Sequence, residues 1–348
     1  MHKKIGKLSL ALCLALVLFL LVNGIINSFS FYSPKKIEAV SVYNINGAKP
    51  ISDKKVRVLT FNTGFASLGE EADLYSEGGK GGRAGADEVL KNARGISELV
   101  NLSNADAVML QSVDSDSYRS RYVDQSSYYI NNGRFGSAFA FDHKAASTSF
   151  FPPYKKVNSG VLTLSKRSIE SAERVPISKF SSPFSSNPNR CMLVSKMPIE
   201  NSDKKLVLIN FELEAHISLE DKIKQTQEVL KYIEEAANRG DYVIAGGSFY
   251  RYFEGTQNRY PLPDRLRWTP EEMSLTEIPK TLSLVYDETV PTTRILAEPY
   301  DNEAEEKKVY VSDGFVISKN LSVNMHVTVD QEFRFSAHNP VLLEVTLK

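Results

Sequence analysis

Polar residues end several apolar runs of this 348-residue chain, at positions where they could do chemistry together. Asn62 and Glu212 each follow an apolar run, and Asp313 interrupts another. When strands end at the same rim of a sheet, their polar residues meet there, and loops on such a scaffold build binding sites. Carboxylates, amides and a histidine gathered at one rim could hold a hard divalent cation and activate water for phosphoester hydrolysis.

The apolar patterning predicts the elements that would position these residues. Strands are predicted over 56–62, 107–110, 159–165, 206–211, 242–245, 309–317, 321–329 and 341–347. Helical spacing predicts a helix over 86–102 and a second one that begins at Ser218, where Asp221 completes a cap, and ends at Gly240. Two strand-rich halves with helices between them predict an α/β sandwich of two packed sheets.

The N-terminal segment has a different character. Residues 8–34 include no charged side chain, and lysines precede them. The Leu-rich part, 8–26, is long enough for one membrane-spanning helix, so 1–26 is predicted to anchor the chain, with the N-terminus in the cytoplasm and the body outside it. A cleaved signal peptide remains the alternative, because the small residues Ser28 and Ser30 lie at alternate positions.

Charge and cysteine content constrain the body of the protein. The 42 Lys and Arg residues balance 42 Asp and Glu residues, so net charge does not indicate nucleic acid as a partner. Cys191 is the only cysteine besides Cys13 of the apolar segment, so the body cannot form an internal disulfide. The polar stretch 27–54 is predicted to be a linker, and 55–348 is predicted to be a single domain.

Four short motifs resemble those of the endonuclease/exonuclease/phosphatase superfamily, the DNase I-like metal-dependent phosphoesterases. They are Leu-Gln-Ser-Val-Asp at 110–114, Ile-Asn-Phe-Glu-Leu at 209–213, Gly-Gly-Ser-Phe-Tyr at 246–250 and Ser-Ala-His-Asn-Pro at 336–340. The motifs occur in the family's order, and the resemblance covers nearly all of 56–348. It implies a DNase I-like four-layer α/β sandwich, with two packed mixed sheets flanked by helices.

At five positions the resemblance implies a reactive residue that this chain lacks. The family's metal-binding Glu, phosphate-contacting His, water-orienting Asp, phosphate-binding Asn and metal-adjacent Asp correspond here to Ser112, Glu212, Ser248, Tyr250 and Ala337, respectively. A serine is a poor substitute for a metal carboxylate, and a glutamate would repel the phosphate that a histidine contacts. The expected phosphoesterase chemistry is therefore largely erased.

Other residues keep the identity that the family implies. Asn62 matches the Asn of the metal site, and Asp313 matches the Asp that hydrogen-bonds the phosphate-contacting His, here His338. Arg190 either matches an Arg near the substrate cleft, where it would bind substrate, or is an ordinary surface arginine. Two interpretations of the Asp313–His338 pair stay open. It is either a residual phosphate-binding pair or an inherited buried hydrogen bond that holds two strand ends.

The replacements also leave alternatives open. Glu212 is either a relocated metal ligand, acting with Glu214 or Asp114, or a carboxylate paired with a nearby arginine. Tyr250 either offers a stacking surface or fills a vacated pocket. The isolated histidines, His143 and His216, are expected to be exposed.

These observations predict a membrane-anchored, extracytoplasmic pseudoenzyme that binds or scaffolds an unidentified protein or a phosphorylated ligand without a cofactor. The alternative is a divalent-metal-dependent phosphoesterase with a rebuilt site, which would use Mg²⁺. A third possibility is an adhesion or assembly module in which the cleft has no role.

Overall fold

The computed structural model describes residues 2–30, 32, 34, 36–130, 134–147, 155–179 and 188–348. Its helices are α1 (His2–Ser30), α2 (Ala86–Leu102), α3 (Gln125–Ile130) and α4 (Leu219–Asn238). Within the described residues, no helix combines the length and the apolar character needed to cross a membrane.

One seven-stranded mixed sheet has the strand order β1-β7-β8-β9-β10-β16-β13. Its strands are β1 (Glu38–Val40), β7 (Ser171–Pro176), β8 (Cys191–Pro198), β9 (Lys205–Glu212), β10 (Tyr242–Ser248), β13 (Leu282–Val285) and β16 (Asp313–Ser318). β9 and β10 are parallel neighbours, whereas the other pairs of this sheet are antiparallel.

The second seven-stranded sheet has the order β17-β18-β3-β4-β6-β5-β2. Its strands are β2 (Val42–Tyr43), β3 (Lys55–Asn62), β4 (Ala107–Asp114), β5 (Gly136–Ala145), β6 (Val157–Ser165), β17 (Leu321–Thr328) and β18 (Val341–Leu347). Here β3 and β4 are the parallel pair. Short two-stranded pairs join β11 (Tyr252–Phe253) to β12 (Glu272–Met273) and β14 (Thr293–Arg294) to β15 (Val309–Tyr310).

Three apolar layers stack these elements into a sandwich. The central layer contains buried residues of both sheets, such as Met109, Leu208 and Leu343. Val229 and Ile233 of α4 pack on the outer face of the first sheet. Helices α2 and α3 cover the outer face of the second sheet. The α/β sandwich predicted from the alternation of strands and helices is confirmed, because each sheet has one face against the other sheet and one against a helix.

Local sequence signals explain the bounds of the long helices. The Ser218 hydroxyl accepts a hydrogen bond from the Asp221 backbone N–H and caps α4, as its sequence predicts. Gly240 follows this helix with φ +91°, a conformation that favours glycine. The predicted bounds of α2, 86–102, are confirmed, as are the bounds of β18.

Two regions differ from the sequence-based prediction. Part of the predicted linker, 27–54, belongs to the sandwich, because β1 pairs with β7 and β2 pairs with β5. These strands are too short for an alternating pattern to reveal them. The predicted strand 309–317 is two strands, since β15 pairs with β14 whereas β16 lies between β10 and β13.

Candidate functional site

The candidate site lies where the two parallel strand pairs end. β3 and β4 run side by side in one sheet, as β9 and β10 do in the other, so the carboxyl ends of all four strands meet at one rim. Asn62, Ser112, Glu212 and Ser248 stand at or near these ends, and all four are buried. The rim predicted from the polar strand ends therefore exists.

A bulge in β4 aims Ser112 into this site. The pairing of β4 with β6 shifts between Leu110 and Val113, and Ser112 has φ +54°, which is unusual for a residue with a side chain. The backbone distortion turns the Ser112 side chain towards β9. Ser112 is therefore a non-glycine residue held in the left-handed region, with its side chain directed at Glu212.

The glycine pair of β10 is needed for close packing. A Cβ atom on Gly247 would lie 1.9 Å from the carbonyl oxygen of Phe211 in the neighbouring strand β9. No side chain fits at that distance, so the approach of the two strands requires glycine. Close packing of β9 and β10 therefore explains why glycine stands in the 246–250 motif, independently of any catalytic role.

The Glu212 carboxylate is the centre of a buried network. The Ser112 hydroxyl lies 2.8 and 2.9 Å from its two oxygens, and Asn62 Nδ2 lies 3.2 Å from Oε1. The Tyr250 hydroxyl is a further donor at 3.2 Å. Burial raises the pKa of Tyr250 well above its ordinary value, which keeps its hydroxyl protonated and able to donate. Donors therefore surround Glu212 as they would surround a bound anion.

Arg190 is shared by three carboxylates. Its Nη1 lies 2.5 Å from Asp142 and 2.8 Å from Glu212, and its Nε lies 3.1 Å from Glu214. Burial opposes the charged guanidinium, but the three carboxylates more than offset it and raise the pKa of Arg190. Burial raises the pKa of Glu212, and the neighbouring Asp142 and Glu214 add to this effect, whereas Arg190 and the Ser112 hydroxyl oppose it.

A second buried cluster lies around Asp313. His338 Nδ1 lies 2.9 Å from Asp313 Oδ2, and the Ser248 and Thr293 hydroxyls donate to the same carboxylate. Burial would raise the pKa of Asp313, but its contacts with His338, Ser248 and Thr293 outweigh burial and lower it. The Asp313–His338 hydrogen bond implied by the resemblance is present.

Both clusters face one cleft of about 220 Å³. Tyr250 lines this cleft, and its ring meets the His338 ring edge to face at 5.5 Å. Ala337 also lines the cleft and is 2% exposed. Tyr250 thus occupies space between the two clusters and links them, which is closer to the pocket-filling interpretation than to an exposed stacking surface.

A divalent metal does not fit the residues gathered here. Ser112 is neutral, and the oxygens of Glu212 are already engaged by Ser112, Asn62, Tyr250 and Arg190. Within the described part of the chain, no three His, Cys, Asp or Glu side chains are grouped so that they could hold a metal ion. The oxygen ligands and the water position that a hard divalent cation needs are therefore not assembled among these residues.

Asp114 does not join Glu212. Its carboxylate receives a two-point contact from Arg119, at 2.9 and 3.0 Å, and a hydrogen bond from the Ser120 hydroxyl. Asp114 and Glu212 therefore pair with different arginines, Arg119 and Arg190. Glu214 does lie close to Glu212, but the Arg190 guanidinium contacts both carboxylates. The interpretation of Glu212 as an arginine-paired carboxylate is confirmed.

The two isolated histidines differ in exposure. The expectation that His143 is exposed is wrong: it is buried at 8% exposure, because it lies on β5, a strand that the apolar pattern does not reveal. The expectation that His216 is exposed is confirmed. His216 Nε2 nevertheless lies 3.2 Å from the Glu77 carboxylate, and its ring packs 5.0 Å from that of Trp268 at the edge of the cleft.

Asp142 and Glu77 are site residues that sequence reasoning missed. Asp142 contacts Arg190, and Glu77 lines the cleft beside His216. Asp142 lies within an unrecognised strand, and Glu77 lies in a short 3₁₀ turn after the first long strand, so neither has a periodic signal. Their positions beside Arg190 and His216 are visible only in the folded structure, in which the end of β5 and the 3₁₀ turn come together at the rim.

Comparisons with known proteins identify the fold. No protein-family model and no curated protein matches the sequence. A solved endonuclease/exonuclease/phosphatase from Beutenbergia cavernae matches with a TM-score of 0.60 and 13% identity, over 84% of this chain and 72% of that chain. TDP2 from D. rerio complexed with a single-strand DNA product matches with a TM-score of 0.54 and 13% identity, over 84% of this chain and 100% of that one.

The human Nocturnin catalytic domain with a bound sulfate anion has a TM-score of 0.53 and 12% identity to this chain, over 89% of this chain and 98% of that one. Similarities at this level of identity establish the architecture and leave the chemistry to the site. The chain has the DNase I-like fold of endonuclease/exonuclease/phosphatase proteins, and the fold that the motifs imply is confirmed.

Proposed function

We propose that this chain is a catalytically inactive domain of the endonuclease/exonuclease/phosphatase fold that serves in binding or scaffolding. One observation carries the proposal. The Glu212 carboxylate, held by Ser112 and paired with Arg190, fills the centre of the rim with an internal ion pair. An anion and a cation of the protein itself pair with each other at the rim, where the resemblance expects a metal-binding Glu and a phosphate-contacting His.

The chemistry of phosphoester hydrolysis supports the same conclusion. It requires a hard cation, an activated water and donors for the charge that develops on the phosphoryl group. Removing one electrostatic stabiliser typically lowers a rate by about 100- to 1000-fold. Several stabilising groups act as one unit in such a site, so their individual rate losses are not multiplied. The residues that this chain keeps, Asn62, Asp313 and His338, supply neither the cation nor the group that activates water.

A second candidate function is a divalent-metal-dependent phosphoesterase with a rebuilt site, acting on a nucleic acid, a phosphodiester or a phosphomonoester with Mg²⁺. The observation that favours it is the intact Asp313–His338 pair at the cleft. The negative charge of Glu212 beside this pair opposes it, because that charge disfavours a phosphate in the cleft.

An assay of the full-length protein tests the proposal. Bis(p-nitrophenyl) phosphate, p-nitrophenyl phosphate and DNA are incubated with Mg²⁺, Mn²⁺ or Ca²⁺, and His338→Ala is assayed in parallel. We expect no metal-dependent hydrolysis above that of the variant, and no stabilisation of the fold by the metals, because ligands of the native state stabilise it. Hydrolysis that His338→Ala abolishes would instead establish the second candidate function.

We also propose that residues 1–26 anchor the chain in a membrane, with the body outside the cytoplasm and the membrane as its partner. The support is the uncharged stretch 8–26 after three lysines, together with exposed leucines such as Leu16 and Leu18 on α1. Leu16→Arg with Leu18→Arg should release the protein from carbonate-washed membranes, whereas Leu16→Ile should not. Equal retention of both variants would contradict the anchor.

A further inference from the structure

The chain that follows α1 is bound to the body almost at once. Tyr32, two residues beyond the end of α1, donates its backbone N–H to the Lys144 carbonyl oxygen over 3.0 Å. Its ring meets the Phe141 ring edge to face at 6.3 Å, and its hydroxyl donates to the Glu38 carboxylate. Two residues span at most about 7 Å, so the body cannot turn freely relative to the end of α1.

A buried arginine fastens this junction, which comprises Tyr32 and Pro34. Arg174 of β7 is 1% exposed, and its guanidinium lies 5.5 Å from the centre of the Tyr32 ring. Its Nε and Nη2 donate to the carbonyl oxygens of Phe141 and Asn189 over 2.9 and 2.7 Å, respectively. The Asn189 amide in turn donates to the Pro34 carbonyl oxygen over 3.4 Å. The junction therefore packs on buried structure of the sandwich.

The junction lies at the same end of the sandwich as the cleft. β4 and β5 both pair antiparallel with β6, so β5 ends at the rim as β4 does. β8 is antiparallel to β9, so it begins at the rim. Lys144 lies near the end of β5 and Asn189 lies just before β8, and their chain neighbours His143 and Pro188 line the cleft. The residues that hold the junction are therefore next to residues of the cleft wall.

The surface around the junction is basic. Glu38 accepts the Tyr32 hydroxyl, and Asp116 pairs with Lys156, so both of these carboxylates are engaged within the protein. Positive surfaces are attracted to anionic lipid headgroups. Four exposed lysines, which we call the lysine collar, stand at the rim ends of β1, β5, β6 and β7: Lys36, Lys144, Lys155 and Lys179.

The rest of the rim end has a different charge. The loop 301–306 leads through β15 to β16, which lies on the far side of the first sheet from β1. Its exposed carboxylates repel an anionic surface, so the attraction is confined to the corner that holds the junction. These carboxylates belong to Asp301, Glu303, Glu305 and Glu306.

We propose that the corner formed by the junction and the lysine collar lies against a membrane with anionic headgroups, so that the cleft opens at the lipid surface. The inference rests on the proposed membrane anchor, because α1 determines which surface the corner meets. The headgroup layer is recognised by the charge of the collar and is held in reach by the short connection to α1. A ligand of the cleft then reaches it from the membrane surface.

Quenching by labelled headgroups tests this orientation in the full-length protein. A fluorophore is attached at Ile37→Cys beside the collar or at Val323→Cys near the start of β17, at the other end of the sandwich. The two positions are matched, since both are β-branched and exposed, at 57% and 40%. Cys13→Ser removes the exposed native thiol, and Cys191 is buried.

The labelled proteins are reconstituted in vesicles of phosphatidylcholine and phosphatidylglycerol that include a lipid with a nitroxide on its headgroup. We expect quenching at Ile37 to be several times that at Val323. The reason is the length of the strands that separate the two ends, because eight residues such as those of β4 extend about 26 Å at about 3.3 Å per residue.

Lysine substitutions test the role of charge separately. Omitting phosphatidylglycerol or raising the salt concentration should reduce quenching at Ile37, because salt screens the collar. A collar variant should lose this dependence on lipid charge; it combines Lys36→Gln, Lys144→Gln and Lys179→Gln. A matched variant of three exposed lysines at the opposite end should keep it; it combines Lys54→Gln, Lys204→Gln and Lys319→Gln.

The outcomes separate this inference from the anchor on which it rests. Protein that stays in carbonate-washed vesicles but shows equal quenching at both positions, or stronger quenching at Val323, would overturn the orientation alone. Unchanged dependence on lipid charge in the collar variant would overturn the assignment of the lysines. Protein that carbonate releases would overturn the anchor and the inference together.

Discussion

The Ser112 hydroxyl lies within hydrogen-bonding distance of both oxygens of the Glu212 carboxylate, at 2.8 and 2.9 Å. The two residues come from different sheets, so this contact joins the halves of the sandwich at the rim. In the motifs of the fold these positions correspond to a metal-binding Glu and a phosphate-contacting His. Here the carboxylate lies on β9 of one sheet, and the small donor Ser112 faces it from β4 of the other. The two replacements are complementary, and each explains the other.

Arg190 should contribute far more to stability than a surface arginine with the same contact distance. Arg190→Met leaves Asp142, Glu212 and Glu214 without their cation, and breaking a buried ion pair typically costs about 3–5 kcal/mol. The measurement is the free energy of unfolding in urea. The loss should be larger at pH 8 than at pH 5, because burial raises the pKa of Glu212 and this carboxylate can take up a proton at the lower pH.

Arg57→Met is the control for this prediction. Arg57 lies 2.9 Å from Glu344, but the two side chains are 32% and 21% exposed. A solvent-accessible pair of this kind contributes little, because water screens its charges. Similar losses for the two variants would mean that the Arg190 cluster is not a buried network.

The backbone of Ser112 gives a prediction about two substitutions that both delete its hydroxyl. At φ +54°, Ser112→Gly should be more stable than Ser112→Ala by about 1 kcal/mol, since alanine is strained in the left-handed region. Ser195 of β8, buried and in regular strand pairing with Leu208, is the matched control. There the order should reverse, because glycine weakens a strand. The same order at both positions would contradict the strained bulge.

The sequence predicted more of the fold than of the site, for a physical reason. Strands such as β9 and β18 bury continuous apolar runs, so their pattern is visible, and the ends of these runs mark the rim. The motif around Arg190 indicated a position near the cleft. It did not indicate the partners of Arg190, because Asp142 comes from a strand whose apolar and polar residues do not alternate regularly.

The contacts of the Glu212 carboxylate could not be predicted from the motif that contains it. Its position in the chain identifies a replaced histidine, but the four residues that contact it are separated from it by up to 150 positions. Whether such a carboxylate holds a metal or an arginine depends on the positions of these partners in three dimensions. Local sequence therefore predicted that the usual chemistry is lost, while the identity of the replacement network required the structure.

Tyr250 should be coupled energetically to Glu212. Tyr250→Phe removes a hydroxyl that lies 3.2 Å from Glu212 and 3.1 Å from the Asn62 amide, and should cost about 1–2 kcal/mol. In a double-mutant cycle with Glu212→Gln, unfolding in urea should give a coupling energy of about 0.5 kcal/mol or more. Strict additivity of the two substitutions would show that the hydroxyl does not interact with the carboxylate.

Asp313 should make stability depend on pH in the acidic range. Its folded-state pKa is lowered, because the contacts with His338, Ser248 and Thr293 outweigh burial. A lowered pKa gives stability that is present above the unfolded pKa of about 3.9 and is lost as the pH falls through the folded pKa. Asp313→Asn should therefore be less stable than the parent protein at pH 6, and this difference should shrink as the pH falls below about 4. Urea unfolding at pH 6, 4 and 3 measures both proteins. A difference that stays constant over this range would mean that the hydrogen bonds from His338, Ser248 and Thr293 do not preferentially stabilise the ionised Asp313 carboxylate in the folded state.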